Sequence, residues 1–282
     1  MVKIGFLGPK GTFSQEAMLE YVKSGGEFNE CPYNTMPDLI FAVENDEIDQ
    51  AIIPIENSLE GAVSVTLDML ATDVDLKIVA EVVIAINQNL MVKKGTKTED
   101  IKFVLSHPQP IGQCRKYLDS KYPGAVIKYL YSTAEAAKEV SLGGKDMAAI
   151  GPSTAAEVYG LDIIDREIQD NYNNLTRFVV VSKKDGKKAL NNKTSIVFST
   201  DNKPGSLYKI LDIFSLWDIN MTRIESRPAK KQLGKYIFFI DLNGHIEDED
   251  VRDALTMVKR KTSFYKFLGS YPEYCFKNNL SG

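Results

Sequence analysis

Residues 146–152 read DMAAIGP and repeat the pattern of DQAIIP at residues 49–54. In both stretches an acidic residue leads into a short apolar run that reaches a proline and opens into a polar loop. Short apolar runs bounded by such breakers are typical of buried strands. Two similar strand ends in one chain indicate two α/β lobes, and the apolar stretch 78–92 between them is the expected connection. In such folds ligands bind in the crevice at the strand ends.

Strand-like and helix-like segments alternate around these two stretches. Val2–Leu7 is a predicted strand, and the helix after it begins at Thr12 or Ser14, where Thr12 and Gln15 fit a capping box. Alternation of this kind predicts parallel sheets with helices on both faces. The other predicted strands are 31–35, 51–55, 103–105, 126–130 and 148–150, and the other predicted helices are 37–45, 65–71, 111–120, 133–142 and 154–159.

The pattern changes after the lysine-rich run SKKDGKKALNNK at 182–193, which has the composition of a linker. Beyond it the predicted order is β-α-β-β-α-β, which is the order of a ferredoxin-like module. The predicted segments are strand 194–200, helix 205–217, strands 219–227 and 234–243, helix 248–260 and strand 263–270.

Composition restricts the class of protein. The length of 282 residues suits two domains, and 44% hydrophobic with 26% charged residues is ordinary for a soluble enzyme. A net charge of −4 argues against a nucleic-acid partner. No apolar run is long enough to span a membrane, and the N-terminal residues do not predict a secretory signal. Cys31, Cys114 and Cys275 are far apart, which suits reduced thiols in a cytoplasm and offers no zinc spacing.

Four polar loops follow predicted strands: GPKGTFS at 8–14, PIENSLEGAV at 54–63, SHPQPIGQC at 106–114 and NNLTRF at 173–178. None has the spacing of a Walker loop or of a dinucleotide-binding fingerprint, so no nucleotide cofactor is expected. The loops instead offer backbone N–H groups, hydroxyls and amides, which together favour an anion site without a metal.

Individual side chains leave several roles open at this point. Arg177 has the planar guanidinium that suits a carboxylate, but Thr176 and Arg177 would also fit a solvated strand edge. His107 is interpreted as a loop-orienting residue rather than a catalytic imidazole. Glu56 is either a general acid or, preferably, a structural carboxylate. From the residues alone the prediction is a small carboxylate ligand, with no named reaction.

Together with ESRP at 225–228, the four loops resemble the prephenate dehydratase family, whose members convert prephenate to phenylpyruvate on the way to phenylalanine. The resemblance covers almost the whole chain and suggests the monofunctional form. It implies a two-lobed catalytic domain like the type II periplasmic binding proteins, followed by a ferredoxin-like ACT domain that binds L-phenylalanine as a feedback signal. Two departures from the family pattern are the Pro110 and Gly112 pair after SHPQ, and Ser206 in a loop that usually reads Gly-Ala-Leu.

The resemblance also implies roles for residues. Thr176 would protonate the departing hydroxyl of prephenate, polarised by Asn57 or Ser58, and no cofactor or metal would be needed. The implied substrate-binding residues are Thr12, Ser14, Glu56, Ser106, His107, Gln109, Arg177 and Phe178. The implied effector-binding residues are Pro204, Gly205, Ser206 and Leu207, expected to lie beside Glu225, Ser226, Arg227 and Pro228.

Domain limits and the assembly follow from the same resemblance. The catalytic domain is expected at 1–185, with lobe 1 at about 1–76 and 162–182 and lobe 2 at about 77–161. A linker at 186–193 and the ACT domain at 194–275 complete the chain, in a cytoplasmic homodimer or homotetramer. The rival interpretation is a non-catalytic solute-binding or sensor protein on the same fold.

Overall fold

The structure, a computed structural model, describes residues 1–23, 27–229 and 236–274. Cys275 and the first two residues of the strand predicted at 234–243 lie outside the described residues. The strands are β1 (Val2–Leu7), β2 (Phe28–Tyr33), β3 (Gln50–Asn57), β4 (Gly61–Ala62), β5 (Lys77–Ala85), β6 (Asn89–Val92), β7 (Phe103–Ser106), β8 (Val126–Tyr129), β9 (Met147–Gly151), β10 (Asp162–Asp165), β11 (Leu175–Ser182), β12 (Asn192–Ser199), β13 (Met221–Pro228), β14 (Tyr236–Asn243) and β15 (Phe264–Pro272). The helices are α1 (Phe13–Val22), α2 (Met36–Glu44), α3 (Ser64–Thr72), α4 (Pro108–Gln113), α5 (Arg115–Lys121), α6 (Thr133–Leu142), α7 (Ser153–Tyr159), α8 (Ser206–Leu216) and α9 (Glu249–Lys261).

The first sheet has the strand order β2-β1-β3-β11-β5, and the short β4 pairs with β3. Its central strands β3 and β11 are apolar because both faces of the sheet are covered, and Ile52, Ile53 and Val179 are fully buried. The backbone N–H of Ser58, just after β3, donates to the carbonyl of Leu175 at the start of β11. The end of β3 therefore lies beside the start of β11, which places the PIENS and LTRF residues next to each other.

The second sheet has the order β10-β6-β9-β7-β8 and is mixed. Strands β8, β7 and β9 are parallel, as expected, but β6 runs antiparallel to both β9 and β10. The prediction of parallel sheets is therefore wrong for β6. The reason is the connection from β6 to β7, which contains only the short 3-10 turn Thr98–Asp100. Without a crossover helix to return the chain to the starting end of the sheet, β7 and its parallel neighbour β9 run opposite to β6.

The stretch 78–92 does connect the two sheets, because β5 belongs to the first and β6 to the second. Strand β10 pairs with β6, so the chain returns to the first sheet at β11 rather than near residue 162. The chain divides into two compact units, whose limits differ from those of the two sheets. One comprises 1–39, 52–61 and 83–178, and the other comprises 40–51, 62–82 and 179–282. The second unit thus combines α3, most of β5 and the C-terminal module.

The helix predicted at 111–120 is split into α4 and α5 at Cys114, whose φ and ψ of −111° and 21° are not helical. Asp170 explains the break. Its backbone N–H donates to the last carbonyl of α4, at Gln113, over 2.7 Å, and its carboxylate accepts from the N–H of Lys116 at the start of α5. One residue therefore caps both helix ends.

The C-terminal module has the predicted order β12-α8-β13-β14-α9-β15, and its antiparallel sheet has the order β13-β14-β12-β15. Its core contains the buried Phe198, Phe214 and Ile240. The expectation that 204–207 and 225–228 lie side by side is wrong by one strand. Ser199 at the end of β12 pairs with β14, and β14 in turn pairs with Pro228, so β14 separates the two segments.

Strand β15 approaches β5 very closely in the second unit. Gly269, at a φ of +138°, has no room for a side chain, because a Cβ there would lie 2.3 Å from the carbonyl oxygen of Ile78. Lys77 donates to the carbonyl of Phe267 over 3.0 Å, and the buried Glu81 pairs with Lys193 of β12 at 2.8 Å. The C-terminal module is thus joined to β5 by backbone proximity and by a buried ion pair.

We predict that Gly269→Ala lowers the free energy of unfolding by about 2–4 kcal/mol, because it adds both a clash and backbone strain. The midpoint of thermal unfolding should fall by about 5–10 °C. Gly124→Ala is the matched control, since a Cβ at Gly124 meets nothing within 4 Å. Equal midpoints for the two variants would contradict the close approach of β15 to β5.

Candidate active site

Asn57 is held in one orientation at the end of β3. Its side-chain oxygen accepts hydrogen bonds from the backbone N–H groups of Leu59 and Glu60, each at 2.9 Å. Two N–H donors identify the oxygen of an amide, because the NH2 group cannot accept them. The NH2 group of Asn57 is consequently the part of the side chain that faces β11.

Thr176 receives that NH2 group. Asn57 Nδ2 lies 2.8 Å from Thr176 Oγ1, and the Thr176 residue is 8% exposed. In this contact the amide is the donor and the hydroxyl oxygen the acceptor, so the hydroxyl hydrogen of Thr176 is directed away from Asn57. Donation to its oxygen also polarises the hydroxyl toward giving up that hydrogen.

Ser58 makes hydrogen bonds with different partners from those of Asn57. Its hydroxyl donates to the carbonyl of Asn173 and accepts from the N–H of Leu175, both at 2.9 Å. Both functions of the hydroxyl are thus used to fix the loop before β11. Of the two neighbours expected to polarise Thr176, it is Asn57 that makes the contact.

Arg177 and Glu56 form a second pair at the same strand ends. Arg177 Nη1 lies 3.9 Å from Glu56 Oε2, a separation longer than a hydrogen bond, and the Arg177 side chain is 13% exposed against 42% for Glu56. Successive side chains of an extended strand point to opposite faces, so Thr176 and Arg177 diverge. Phe178 is 2% exposed, which makes it a packing residue of β11 in this structure.

Thr12 and Ser14 belong to the loop between β1 and α1. Thr12 caps α1 by accepting from the N–H of Gln15 at 3.4 Å, while the Gln15 side chain accepts from Gly11 N at 2.6 Å, one residue before the expected capping-box partner. The Thr12 hydroxyl donates to the carbonyl of Leu7, and Ser14 is 8% exposed. Both residues order the loop, and neither makes a hydrogen bond with the Asn57 and Thr176 pair among the described residues.

Glu16, one turn into α1, is a partly buried carboxyl that no sequence motif identifies. It accepts from the Ser153 hydroxyl at 3.1 Å, at the start of α7. Burial raises the pKa of Glu16, and the hydrogen bonds from Ser153 and the Thr154 backbone counter part of that shift. A glutamate at a helix start is an ordinary surface residue, so nothing in the sequence distinguishes it.

The SHPQ residues have local roles. Ser106 is fully buried and donates to the carbonyl of Ile150 at 2.7 Å, which ties β7 to β9. His107 caps α4, its Nδ1 accepting from the N–H of Gln109 at 3.3 Å, as expected for a loop-orienting residue. Gln109 is exposed, and Pro110 is buried within α4. A direct substrate contact is therefore better supported for the exposed Gln109 than for Ser106.

A network of amides connects the SHPQ and LTRF loops through the crossing between β5 and β6. Gln88 donates from its backbone to Gln169 and from its side chain to Gln113, and Ile86 N donates to Asn174 O at 2.8 Å. Cys114 lies buried beside this network, where burial, together with the charge of Asp170, raises the pKa of its thiol to about 12. That thiol is an inert core group rather than a nucleophile.

The expected effector residues fall into two groups in the structure. Gly205, at a φ of +77°, precedes α8, and Ser206 and Leu207 line a cavity of about 140 Å³ with Tyr236 and Phe238. Arg227 is directed elsewhere: its guanidinium contacts both carboxylate oxygens of Asp68, at 2.9 and 3.2 Å, and the Ser64 hydroxyl at 2.8 Å. The contacts of Arg227 therefore do not support a role for it in binding a ligand.

Two further findings concern residues 1–23, 27–229 and 236–274. No helix there is long and apolar enough to cross a membrane. No group of three or more His, Cys, Asp and Glu side chains among them is arranged to hold a metal ion.

Two family models match consecutive parts of the chain. The family model described as prephenate dehydratase matches residues 4–186, and the ACT domain model matches residues 194–256. The prephenate dehydratase of Methanocaldococcus jannaschii is 41% identical over 273 residues, covering 94% of this chain and 96% of that protein.

Two solved structures extend the comparison. The prephenate dehydratase of Arthrobacter aurescens, in complex with L-Phe, matches with a TM-score of 0.87 and 36% identity over 96% of this chain and 90% of its own. GqqA, described as a quorum quenching acylase, matches with a TM-score of 0.86 and 29% identity over 97% of this chain and 99% of its own. The fold class expected from the sequence is confirmed, and the chain belongs to the prephenate dehydratase family, with a C-terminal ACT domain.

Proposed function

We propose that this chain is a prephenate dehydratase, a hydro-lyase that converts prephenate to phenylpyruvate, carbon dioxide and water without a cofactor. The observation that carries the proposal is the hydrogen bond from Asn57 Nδ2 to Thr176 Oγ1, in which the Thr176 oxygen is the acceptor. That polarity leaves the Thr176 hydroxyl hydrogen as the donor for a substrate, and dehydration needs a donor beside the departing hydroxyl.

Thr176 acts as the general acid. The bond between the ring carbon and its hydroxyl breaks as the bond to the ring carboxylate breaks, and the electron pair of the second bond completes the aromatic ring. The Thr176 hydrogen passes to the departing oxygen, which leaves as water, while the carboxylate leaves as carbon dioxide. A proton from solvent restores Thr176. The hydroxyl is a weak acid, and the donor Asn57 stabilises the negative charge that develops on its oxygen.

Arg177 binds the carboxylate of the pyruvyl side chain. Its side chain is 13% exposed, and Nη1 lies 3.9 Å from Glu56 Oε2. Binding the ring carboxylate tightly would be counterproductive, because stabilising the group that departs as carbon dioxide raises the barrier. The divergence of successive side chains in β11 lets Thr176 and Arg177 address different ends of one substrate.

The ACT domain makes the enzyme sensitive to L-phenylalanine, the product of the pathway, through the cavity at the start of α8. The Arthrobacter aurescens relative in complex with L-Phe supports this assignment. We place the catalytic domain at 1–185 and the ACT domain from 194, and we infer a cytoplasmic homodimer or homotetramer whose ACT domains pair. Within the catalytic domain we assign β5 to lobe 1, because it belongs to the first sheet. We assign β10 and the segment that follows it, up to β11, to lobe 2, because β10 belongs to the second sheet.

The test of this function is ultraviolet detection of phenylpyruvate formed from prephenate by the full chain, with and without L-phenylalanine. A solute-binding or sensor protein would bind prephenate without forming product, which would overturn the proposal. Acylase activity without formation of phenylpyruvate would instead favour the activity described for GqqA.

Thr176→Val should lower kcat by about 10²–10⁴-fold with little change in KM, because it removes a hydrogen given up only in the transition state and keeps the shape of the side chain. Steady-state kinetics on prephenate give both constants. Thr256→Val, a substitution of an exposed threonine of α9, is the control and should match wild type. A kcat within a few-fold of wild type for Thr176→Val would exclude Thr176 as the acid.

Arg177→Lys should raise KM by about five- to tenfold with a smaller change in kcat, because an ammonium replaces a bidentate guanidinium. The matched control is Arg115→Lys, at an exposed arginine of α5 that pairs with Asp119. If KM were the same in both variants, Arg177 would be a strand-edge residue and not a substrate ligand.

A further inference from the structure

Asn174 shares the NH2 group of Asn57 with Thr176. Its side-chain oxygen accepts from Asn57 Nδ2 at 2.8 Å, the same distance as the contact to Thr176, and the residue is 3% exposed. The carbonyl of Leu175 lies farther from Nδ2, at 3.3 Å. Three acceptors therefore surround a group with two hydrogens, and the two shorter contacts are those to the side chains of Asn174 and Thr176.

Removing the Asn174 oxygen would change how those hydrogens are distributed. The main-chain carbonyl of Leu175 would become the nearest alternative to Thr176 Oγ1, and the amide plane could rotate toward it. Asn57 is fixed at its oxygen by Leu59 and Glu60, so small rotations about that anchor remain possible while larger ones are blocked. The bond to Asn174 removes the remaining freedom and keeps one N–H directed at Thr176.

We propose that Asn174 is a positioning residue of the dehydratase reaction: it does not touch the substrate, but it orients Asn57 so that Asn57 polarises Thr176. This inference rests on the proposed function, because it acts through Thr176 as the acid. The buried position of Asn174, behind Asn57 and at hydrogen-bonding distance from it, separates this role from substrate binding.

The experiment is a double-mutant cycle between Asn174→Ala and Asn57→Ala, read as kcat and KM for prephenate with the full chain. Asn174→Ala alone should lower kcat about tenfold, the effect of one neutral hydrogen bond, with KM unchanged. In the Asn57→Ala background the same change should alter kcat by less than about twofold, because the group it positions is absent. Asn173→Ala, at the exposed neighbouring asparagine, is the control and should be neutral.

Asn174→Asp keeps an acceptor oxygen at the same place and should recover most of the kcat lost in Asn174→Ala. A purely structural role would predict equal losses in the Ala and Asp variants and the same loss in the Asn57→Ala background, and either result would overturn the proposal. If wild type forms no phenylpyruvate, the proposed function itself fails, and that outcome is visible before any variant is compared.

A second and independent observation concerns Arg227. This residue of β13 binds two groups of helix α3, the carboxylate of Asp68 and the hydroxyl of Ser64, and the side chains of Arg227 and Asp68 are 20% and 11% exposed. A two-point guanidinium–carboxylate contact fixes direction as well as distance. Ser64 is the first residue of α3 and follows Asn57 by seven residues in the sequence.

We infer that the contact of Arg227 with Asp68 and Ser64 transmits the effector signal from the ACT domain to the chain segment that carries Asn57. Tyr236 and Phe238 of β14 line the cavity at the start of α8 and pair with Pro228 and Ser226 of β13. A ligand in the cavity, or a second ACT domain, that shifts these strands therefore also shifts the contact of Arg227 with α3. Through α3 and the residues 58–63 that join it to Asn57, the donor to Thr176 is displaced. This inference rests on the proposed function and names the route of its regulation.

Asp68→Asn weakens the contact while preserving its shape, and the readouts are the L-phenylalanine concentration for half inhibition and, separately, L-phenylalanine binding by calorimetry. We expect half inhibition to require at least about fivefold more L-phenylalanine, the lower end of ordinary coupling between sites. Uninhibited kcat and the calorimetric affinity should stay within about twofold to threefold of wild type, since affinity changes only through the same weakened coupling.

Asp46→Asn, which weakens the exposed Lys183–Asp46 pair, is the matched control and should leave the inhibition curve unchanged. An unchanged inhibition curve for Asp68→Asn, or an equal loss of binding and inhibition, would overturn the inference. A wild-type enzyme that forms phenylpyruvate but ignores L-phenylalanine would instead overturn the regulatory part of the proposed function.

Discussion

The pairing of the end of β3 with the start of β11 is the constraint on which the candidate site depends. Ser58 fixes this junction by exchanging hydrogen bonds with Asn173 and Leu175, and Asn57 adds a third connection to Thr176. The two segments are far apart in sequence, so closing this loop costs conformational entropy that local contacts cannot repay. The apolar strands β3 and β11, buried at the centre of the sheet, supply the required stabilisation.

The chemical consequence of that junction is a defined direction for the hydrogen bond between Asn57 and Thr176. The side-chain amide of an asparagine can donate or accept, and its oxygen and its NH2 group are nearly the same in size and shape. Backbone donors on the oxygen of Asn57 remove the ambiguity, and the hydroxyl of Thr176 is left with one direction in which to give its hydrogen. Main-chain groups thus decide the direction of the hydrogen bond at the Thr176 hydroxyl, which residue types alone do not specify.

The ACT domain is integrated with part of the catalytic sequence rather than attached by a loose linker. Gly269 lies against the backbone of β5, and Lys193 neutralises the buried carboxylate of Glu81. A buried carboxylate without its partner is strongly destabilising, so the second unit requires both parts of the chain. The same integration gives Arg227 a fixed position against α3, which a mobile domain would not have.

Sequence patterns alone determined the α/β class, the β-α-β-β-α-β order and the polar loops at the strand ends, because these depend on local periodicity and on breaker residues. The roles expected for residues in those loops came from the family resemblance. The loop role of His107 was also local. Tertiary structure decided the antiparallel direction of β6, the break at Cys114 and the separation of 204–207 from 225–228 by β14. It also decided that Asn57 rather than Ser58 contacts Thr176 and that Arg227 binds Asp68. These outcomes depend on which distant segments become neighbours, and a single sequence encodes that only through the packing of the whole chain.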